Sequence, residues 1–229
     1  GLRDRARTAP AIADRETRLD DLAAFAELEA PLHALAQLTL GVRADRFDGG
    51  CRRLGPETGS DPCGALNDPR HVSPKLGLRS AVAPWLTLRA SWAEGFALPN
   101  GFVKYSVGGQ PLQETVFRQA ELGAAVALDP VLEFDVAAWR IDSDGEVRTV
   151  APGVFENFGA TRREGVEASL RWRPVDGFAL TTAWGTTRTE VVRNATAALV
   201  GRRVAGVPES SAAVEAEYAP RPAWSVTAG

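Results

Sequence analysis

The chain has 229 residues, of which 45% are hydrophobic and 24% charged, and its net charge is -3 at pH 7. This length suits one large β domain or two small ones, and the slightly acidic balance excludes the basic surface that nucleic-acid binding requires. No stretch approaches the roughly 20 apolar residues of a membrane-spanning helix, whereas a β-barrel remains compatible because alternation hides its apolar surface from average hydropathy.

The N-terminal segment, residues 1–20, is polar and rich in arginine and aspartate. It carries no helical periodicity, and we predict a loop that includes a strand end rather than a helix.

Beyond this segment, apolar and polar residues alternate with a period of two, which is the pattern of a strand with two different faces. Most of the predicted strands are about ten residues long, which matches a tilted membrane strand better than the ~5–6 residues usual in soluble sheets. In chain order they are 35–47, 74–82, 84–94, 119–128, 131–141, 165–173, 178–187, 211–218 and 224–228.

The connections alternate between short turns and long, glycine-rich loops. The short turns are at 31–34, 83–84, 129–130, 174–177 and 220–223, and the long loops are at 48–73, 95–115, 142–153 and 190–208. All short turns therefore lie at one end of the strands and all long loops at the other. This asymmetry is typical of outer-membrane barrels and rare in soluble sandwiches, in which most connections are short.

The tryptophans fall into two groups along these strands. One group lies beside the short turns and the other seven or more residues away, as expected for two aromatic girdles at the edges of a membrane. The first group is Trp85, Trp172 and Trp224, and the second is Trp92, Trp139 and Trp184.

Two cysteines, Cys51 and Cys63, bracket a segment rich in glycine, proline and serine. A metal site would want more ligands, so we predict a disulfide, which requires an oxidising compartment; two free thiols are the alternative.

Motifs of enzyme chemistry are missing from the sequence. It contains no Walker A loop, GxSxG, HExxH or CxxC, and its two histidines, His33 and His71, fall in a turn and at a loop end. We expect neither an enzyme nor a metal or organic cofactor.

Five stretches, in order, resemble the barrel of TonB-dependent outer-membrane receptors. They are LTLGVRADRFD (38–48), SPKLGLR (73–79) with LTLRASWAEGFALPN (86–100), ETVFRQAELGAAVAL (114–128), NFGATRREGVEASLRWRP (157–174) and VPESSAAVEAEYAP (207–220). The fourth stretch is the most specific, whereas GFALPN departs from the family's usual form. Within the fourth stretch, Asn157 and Gly159 would relieve a bend, and Glu167 and Arg171 would face the barrel lumen.

The resemblance implies an all-β fold, an antiparallel transmembrane β-barrel segment with about ten strands of a 22-stranded barrel, short periplasmic turns and long extracellular loops. Residues 1–229 would be a partial barrel domain, incomplete at both ends and without the plug domain. The implied protein is a receptor and transporter in the outer membrane of a Gram-negative bacterium. It would take up a scarce nutrient, a ferric siderophore in the first place. Its partners would be the TonB complex, through the plug, and outer-membrane lipid. This fragment is not expected to transport alone.

A bound ligand would meet the extracellular loops. Cations beside aromatics suit an anionic, planar chelate, and the loop candidates are Arg52, Arg53, Phe102, Lys104, Tyr105, Arg188 and Arg193; solvated loop residues are the alternative. Two other functions remain open, a passive or autotransporter-type outer-membrane barrel and a soluble secreted β-sandwich that binds a ligand.

Overall fold

A computed structural model describes residues 2–8, 11–53, 70–99, 112–151, 154–221 and 224–228, and nearly all of them lie in strands. The strands are β1 (Leu2–Thr8), β2 (Ala11–His33), β3 (Ala36–Arg53), β4 (Arg70–Ala83), β5 (Leu86–Ala97), β6 (Thr115–Leu128), β7 (Leu132–Asp144), β8 (Val147–Ala151), β9 (Val154–Asn157), β10 (Ala160–Trp172), β11 (Phe178–Arg193), β12 (Ser210–Arg221) and β13 (Trp224–Ala228). A short 3-10 helix, Ala197–Leu199, lies between β11 and β12. No helix in the described part of the chain is long and apolar enough to cross a membrane.

Eleven of these strands form one antiparallel sheet in which neighbours follow chain order, with β7 adjacent to β10. The remaining two, β8 and β9, form a separate hairpin. Tight turns at 34–35, 84–85, 129–131 and 173–177 close one end of the sheet. The predicted all-β, antiparallel architecture with short turns at one end is therefore confirmed.

The register divides the sheet into two faces, because directly paired residues of neighbouring strands point to the same side. We call the side that carries Leu28, Leu40, Leu76 and Trp92 the apolar face. The opposite side, with Arg89, Gly123, Ala137 and Glu167, is the polar face. Glu167 and Arg171 both lie on the polar face, as the sequence predicted.

The apolar face is not covered by a second layer of the described chain. Its exposed side chains include Leu22, Leu28, Leu122, Trp184, Val214 and Val226, whereas Leu19 and Phe25 are exposed on the polar face. Ala137, Val191 and Val204 are the buried hydrophobic residues of the described part. The accessible area of 15073 Å² exceeds the about 10,000 Å² expected for a compact monomer of this size. A sandwich needs two packed sheets, and the described residues form one large sheet and one small hairpin instead.

Three local predictions need correction. Residues 2–8 and 11–20 of the predicted N-terminal loop are strand residues, because β1 pairs with the first half of β2; a strand that is polar on both faces shows no alternation. The predicted loop 142–153 contains the end of β7 and the whole of β8, which pairs with β9 directly after it. Trp139 lies on the polar face, directly opposite Gly165, and so does not belong to an outer girdle with Trp92 and Trp184.

The strands next to two predicted loops also extend further than predicted. β3 continues to Arg53 and β11 to Arg193, so Arg52, Arg53, Arg188 and Arg193 are strand residues rather than loop residues. Cys51 lies in β3. Cys63, Phe102, Lys104 and Tyr105 lie outside the described residues, and the disulfide stays a prediction.

Candidate functional site: the polar face and the loop end

A three-strand ion-pair network dominates the middle of the polar face. From β5, the Arg89 guanidinium donates to both oxygens of Asp135 on β7, at 2.6 and 2.8 Å. Its Nε donates to Glu121 of β6 at 3.0 Å. Arg89 reaches β7 across Gly123 of the intervening strand, where an added Cβ would meet the guanidinium. The glycine thus makes room for a charged cross-link between strands that are not adjacent.

A second charged cross-link of this kind lies on the same face. Lys75 of β4 crosses Gly41 of β3 and forms an ion pair with Glu27 of β2. The indole of Trp139 on β7 lies against Gly165 of β10. Gly41, Gly123 and Gly165 therefore each make room for a long side chain from the neighbouring strand.

A cavity of about 430 Å³ lies on the polar face beside the Arg89 network. Its charged lining consists of Arg89, Glu121, Asp135 and Glu167, so carboxylates outnumber the guanidinium. Small side chains form much of the rest, among them Ser169, Ala183, Gly185, Ser211 and Ala213. The arrangement offers a hydrated anionic wall and contains no pairing of a nucleophile with a base.

At the loop end, a partly buried carboxylate, Glu146, precedes and anchors the β8–β9 hairpin. Glu146 accepts hydrogen bonds from Arg163 Nη1 at 2.5 Å and from Thr161 Oγ1 at 2.9 Å, and Thr161 is only 1% exposed. Burial raises the pKa of Glu146, but the hydrogen bonds from Arg163 and Thr161 and the charge of Arg148 outweigh it and hold the pKa below its ordinary value. Glu146 is therefore ionised at neutral pH.

Asn157 joins three segments of this loop end. Its Nδ2 donates to the carbonyl of Gly145 at 2.6 Å and to that of Gln113 at 3.1 Å. Its Oδ1 accepts from the Gln113 amide at 2.9 Å. Nearby, Gly159 has a φ of 118°, which suits glycine. The sequence singled out Asn157 and Gly159 as a bend, but the role of Asn157 as a cross-link had no sequence signal.

Charged rows replace apolar residues at the loop end of the apolar face. Directly paired residues of alternating charge run across five strands: Glu94, Arg118, Asp142, Arg162 and Glu190. Arg118 Nε lies 2.6 Å from Glu94 Oε2, and Arg162 Nε lies 2.8 Å from Asp142 Oδ1. This row bounds the apolar surface on the side of the long loops.

The predicted ligand contacts are dispersed. Arg188 and Arg193 both project from the apolar face, and Arg193 is held by the two oxygens of Asp144 at 2.6 and 2.8 Å. Arg52 and Arg53 end β3. Within the described residues, no group of three or more His, Cys, Asp or Glu side chains is placed to hold a metal ion.

The fold is shared with known outer-membrane proteins. The siderophore receptor PiuA from Acinetobacter baumannii aligns with a TM-score of 0.75 and 16% identity over 94% of this chain and 33% of its own. For the ferric yersiniabactin uptake receptor FyuA from Yersinia pestis the values are 0.74, 17%, 94% and 34%. For the copper transporter OprC they are 0.75, 14%, 91% and 33%. The chain thus spans about a third of the length of these structures.

A search of curated protein sequences gave no match. The family model described as TonB dependent receptor-like, beta-barrel matches residues 3–229, which is almost the whole chain. Barrels of this family are receptors of the Gram-negative outer membrane. The chain belongs to the TonB-dependent receptor β-barrel family.

Proposed function

We propose that this chain forms part of the wall of an outer-membrane receptor that takes up a scarce nutrient, in the first place a ferric siderophore. The observation that carries the proposal is the two-faced sheet of a family member, with an uncovered apolar face and a polar face cross-linked by ion pairs. A membrane supplies the missing cover for the apolar face.

The orientation of the sheet in this proposal follows from the cost of charge in lipid. An arginine on the lipid side near the bilayer midplane costs roughly 2–4 kcal/mol. Arg89 and Lys75 lie in mid-sheet on the polar face, so that face is assigned to the lumen. The long loops then lie outside the cell and the tight turns in the periplasm.

The choice of cargo is supported by what similar structures are named for. PiuA is a siderophore receptor, FyuA takes up ferric yersiniabactin and OprC is a copper transporter. A small metal-bearing ligand is common to these descriptions, and we put a ferric siderophore first because two of the three concern one. The seven predicted contact residues remain proposals for its recognition.

Uptake by this family runs through the TonB complex, and we propose the same energy source here. We also propose that residues 1–229 contribute only wall and that the plug is supplied by the rest of the protein. In the described residues, β1 and β13 each pair with a single neighbour, and a membrane does not tolerate open edges. The chain by itself is therefore not proposed to transport. The autotransporter alternative gains nothing from the family match.

The test deletes the gene for the protein that carries this chain and compares uptake by the deletion strain with uptake by wild type. The probes are copper and radiolabelled iron, and the iron is presented as hydroxamate and catecholate chelates. We expect iron uptake from at least one chelate to fall to background and to return on complementation, but not in a strain without TonB. Loss of copper uptake alone would replace the siderophore with copper as cargo. The proposal would be overturned if deletion left the uptake of every probe unchanged although the wild-type strain carries the protein in its outer membrane.

A further inference from the structure

The strands β4 and β5 separate before they reach the loop end of the sheet. Their backbone pairing stops at Lys75 and Ala93. Residues 70–74 of β4 continue alongside β3, and residues 94–97 of β5 continue alongside β6, but in the described structure these two stretches do not pair with each other. We call this unpaired part of the β4–β5 contact the seam. Side chains rather than backbone hydrogen bonds must join the two strands there.

An imidazole ring lies in the seam. His71 of β4 is directly opposite Asp45 of β3, and the centroid of its ring is 4.6 Å from that of Phe96 on β5. The ring of Phe96 in turn meets that of Phe47 on β3 edge-on, at 5.6 Å. The side chain of His71 is only 10% exposed. Residues of three strands therefore hold this ring almost completely out of water.

The Nε2 atom of His71 is buried and makes no hydrogen bond with a described residue, although Oε1 of Glu94 on β5 lies 3.5 Å from it. The other oxygen of Glu94 accepts a hydrogen bond from Arg118 Nε at 2.6 Å. A buried nitrogen without a partner costs free energy. In a protonated ring both nitrogens carry a proton, so Nε2 can donate a charge-assisted hydrogen bond to Glu94. The positive charge is also attracted by the Phe96 ring.

The other charged groups around the seam are already paired or lie on the other side of the sheet. By register, the charged residues on the strands packed against His71 are Asp21 of β2, Arg43, Asp45 and Arg46 of β3, Arg70 of β4, Glu94 of β5 and Arg118 of β6. Arg43 Nη2 lies 2.7 Å from Oδ1 of Asp45. Arg46 and Arg70 are directly opposite each other on the face away from His71. A positive ring therefore meets, among these residues, no arginine on its own face that lacks a carboxylate partner.

We infer that His71 is a proton-operated clasp that joins β4 to β5 across the seam. Histidine is the side chain that changes charge near neutral pH. In an acidic medium the protonated ring binds Glu94 and closes the loop end of the wall, whereas at higher pH ring packing alone holds the seam. Because the ring gains a partner on protonation, the clasp is present at low pH and is lost as the pH rises. It acts on the wall itself and is independent of the cargo that the receptor takes up.

The test uses the whole receptor that carries this chain, in detergent, and measures hydrogen–deuterium exchange of its amides by mass spectrometry. Rates are corrected for the chemical pH dependence of exchange with an unfolded sample. Between about pH 8 and about pH 5.5, we expect the corrected exchange of residues 70–74 and 94–97 to slow about tenfold, the effect of one charge-assisted hydrogen bond. His71→Gln, which cannot take up the proton, should remove this pH dependence, and so should Glu94→Gln.

Two further variants are the controls. His33→Gln changes the other histidine of the chain, at the tight-turn end of β2, and Arg118→Gln removes the second partner of Glu94 but leaves its carboxylate. Both should keep the wild-type pH dependence. A wild-type rate that is constant with pH, or that slows as the pH rises, would overturn the proposal even if no variant folds. A rate that differs between wild type and His71→Gln by the same factor at every pH would also overturn it, because the ring would then act through packing alone.

Discussion

Individual glycines on the polar face differ in what surrounds them. At Gly165, an added Cβ would overlap the carbonyl oxygen of Thr186 and lie 2.8 Å from Cζ2 of Trp139. At Gly77, the nearest atom would be Cβ of Thr39 at 3.6 Å, an ordinary contact. Both glycines lie within strands, so the difference comes from packing and not from backbone conformation.

Gly165→Ala in the intact receptor is therefore expected to destabilise the barrel by about 1–3 kcal/mol, the usual cost of overpacking. The backbone oxygen of Thr186 cannot move as freely as a side chain, so the sheet itself must shift. Gly77→Ala is the matched control and should be neutral or slightly stabilising. The measurement is the midpoint of urea unfolding, followed by tryptophan fluorescence. Equal midpoints for the two variants would contradict the packing argument.

For Trp139, the face of the sheet could be predicted from the sequence, but the residue that it contacts could not. Its parity within the alternating strand places it with Glu133 and Asp135 on the polar face, so the alternation alone was sufficient to remove it from an outer girdle. Its partner Gly165 was not predictable, because the pairing depends on the register between β7 and β10. Register arises from contacts between strands that are distant in sequence.

Among the elements, β5, β6 and β7 are joined by one side chain, that of Arg89, in addition to their backbone hydrogen bonds. Arg89 neutralises Glu121 and Asp135 at once. Its removal leaves two carboxylates on neighbouring strands without their common cation. The cost is moderated because these groups remain partly exposed to water.

Arg89→Ala is expected to lower stability by about 1–2 kcal/mol. The control is Arg79→Ala, on β4 directly opposite Arg89, since Arg79 makes no ion pair with a described residue. It should cost little, because its removal also relieves repulsion between two guanidiniums. Chemical unfolding of both variants in the intact receptor gives the comparison. A larger loss for Arg79→Ala than for Arg89→Ala would refute this assignment.

The loop-end hairpin β8–β9 offers a pH-dependent prediction. The pKa of Glu146, in the connection outside the main sheet, is lowered by Arg163, Thr161 and Arg148 against the opposing effect of burial. A carboxylate with a lowered folded pKa contributes stability above its unfolded pKa, about 4.3, and loses it as the pH falls through the folded value.

We expect proteolysis within the hairpin to be slow from pH 5 to 7 and to accelerate as the pH falls below about 4. Glu146→Gln should be cleaved faster at neutral pH and should show a much flatter pH profile. An acid-tolerant protease with activity at each pH calibrated on an unfolded peptide provides the measurement. Identical profiles for wild type and variant would show that Glu146 does not anchor the hairpin.

Among the elements, the sequence predicted the strands with one apolar and one polar face but not the elements without this alternation. Alternation and tight turns identify strands such as β5 and β7, since each has one apolar and one polar face. The hairpin β8–β9 and the strands β1 and β2 were not among the predicted strands. Residues of β1, of the first half of β2 and of the hairpin are polar or mixed on both faces. Their structure comes from pairing and from cross-links such as Asn157, which local patterns do not reveal.

At the scale of the whole molecule, the open strand edge and the uncovered apolar face determine how the chain behaves in water. β1 pairs with residues 11–17 of β2. Residues 18–33 of β2 pair only with β3 in the described structure, so their other edge is open. This open edge runs beside the uncovered apolar face. In water both surfaces favour association, through strand addition and through burial of apolar area.

We therefore expect the 229-residue chain, produced without the rest of its protein, to aggregate in buffer and to form mixed oligomers in detergent. Neither state should carry iron chelates into liposomes, because an open wall encloses no lumen. Light scattering and size-exclusion chromatography measure the first property, and uptake of a labelled chelate measures the second. The intact receptor in the same detergent is the control and should be monodisperse, since its edges are paired. A water-soluble monomer with a cooperative melt would contradict both the membrane assignment of the apolar face and the open edge of β2.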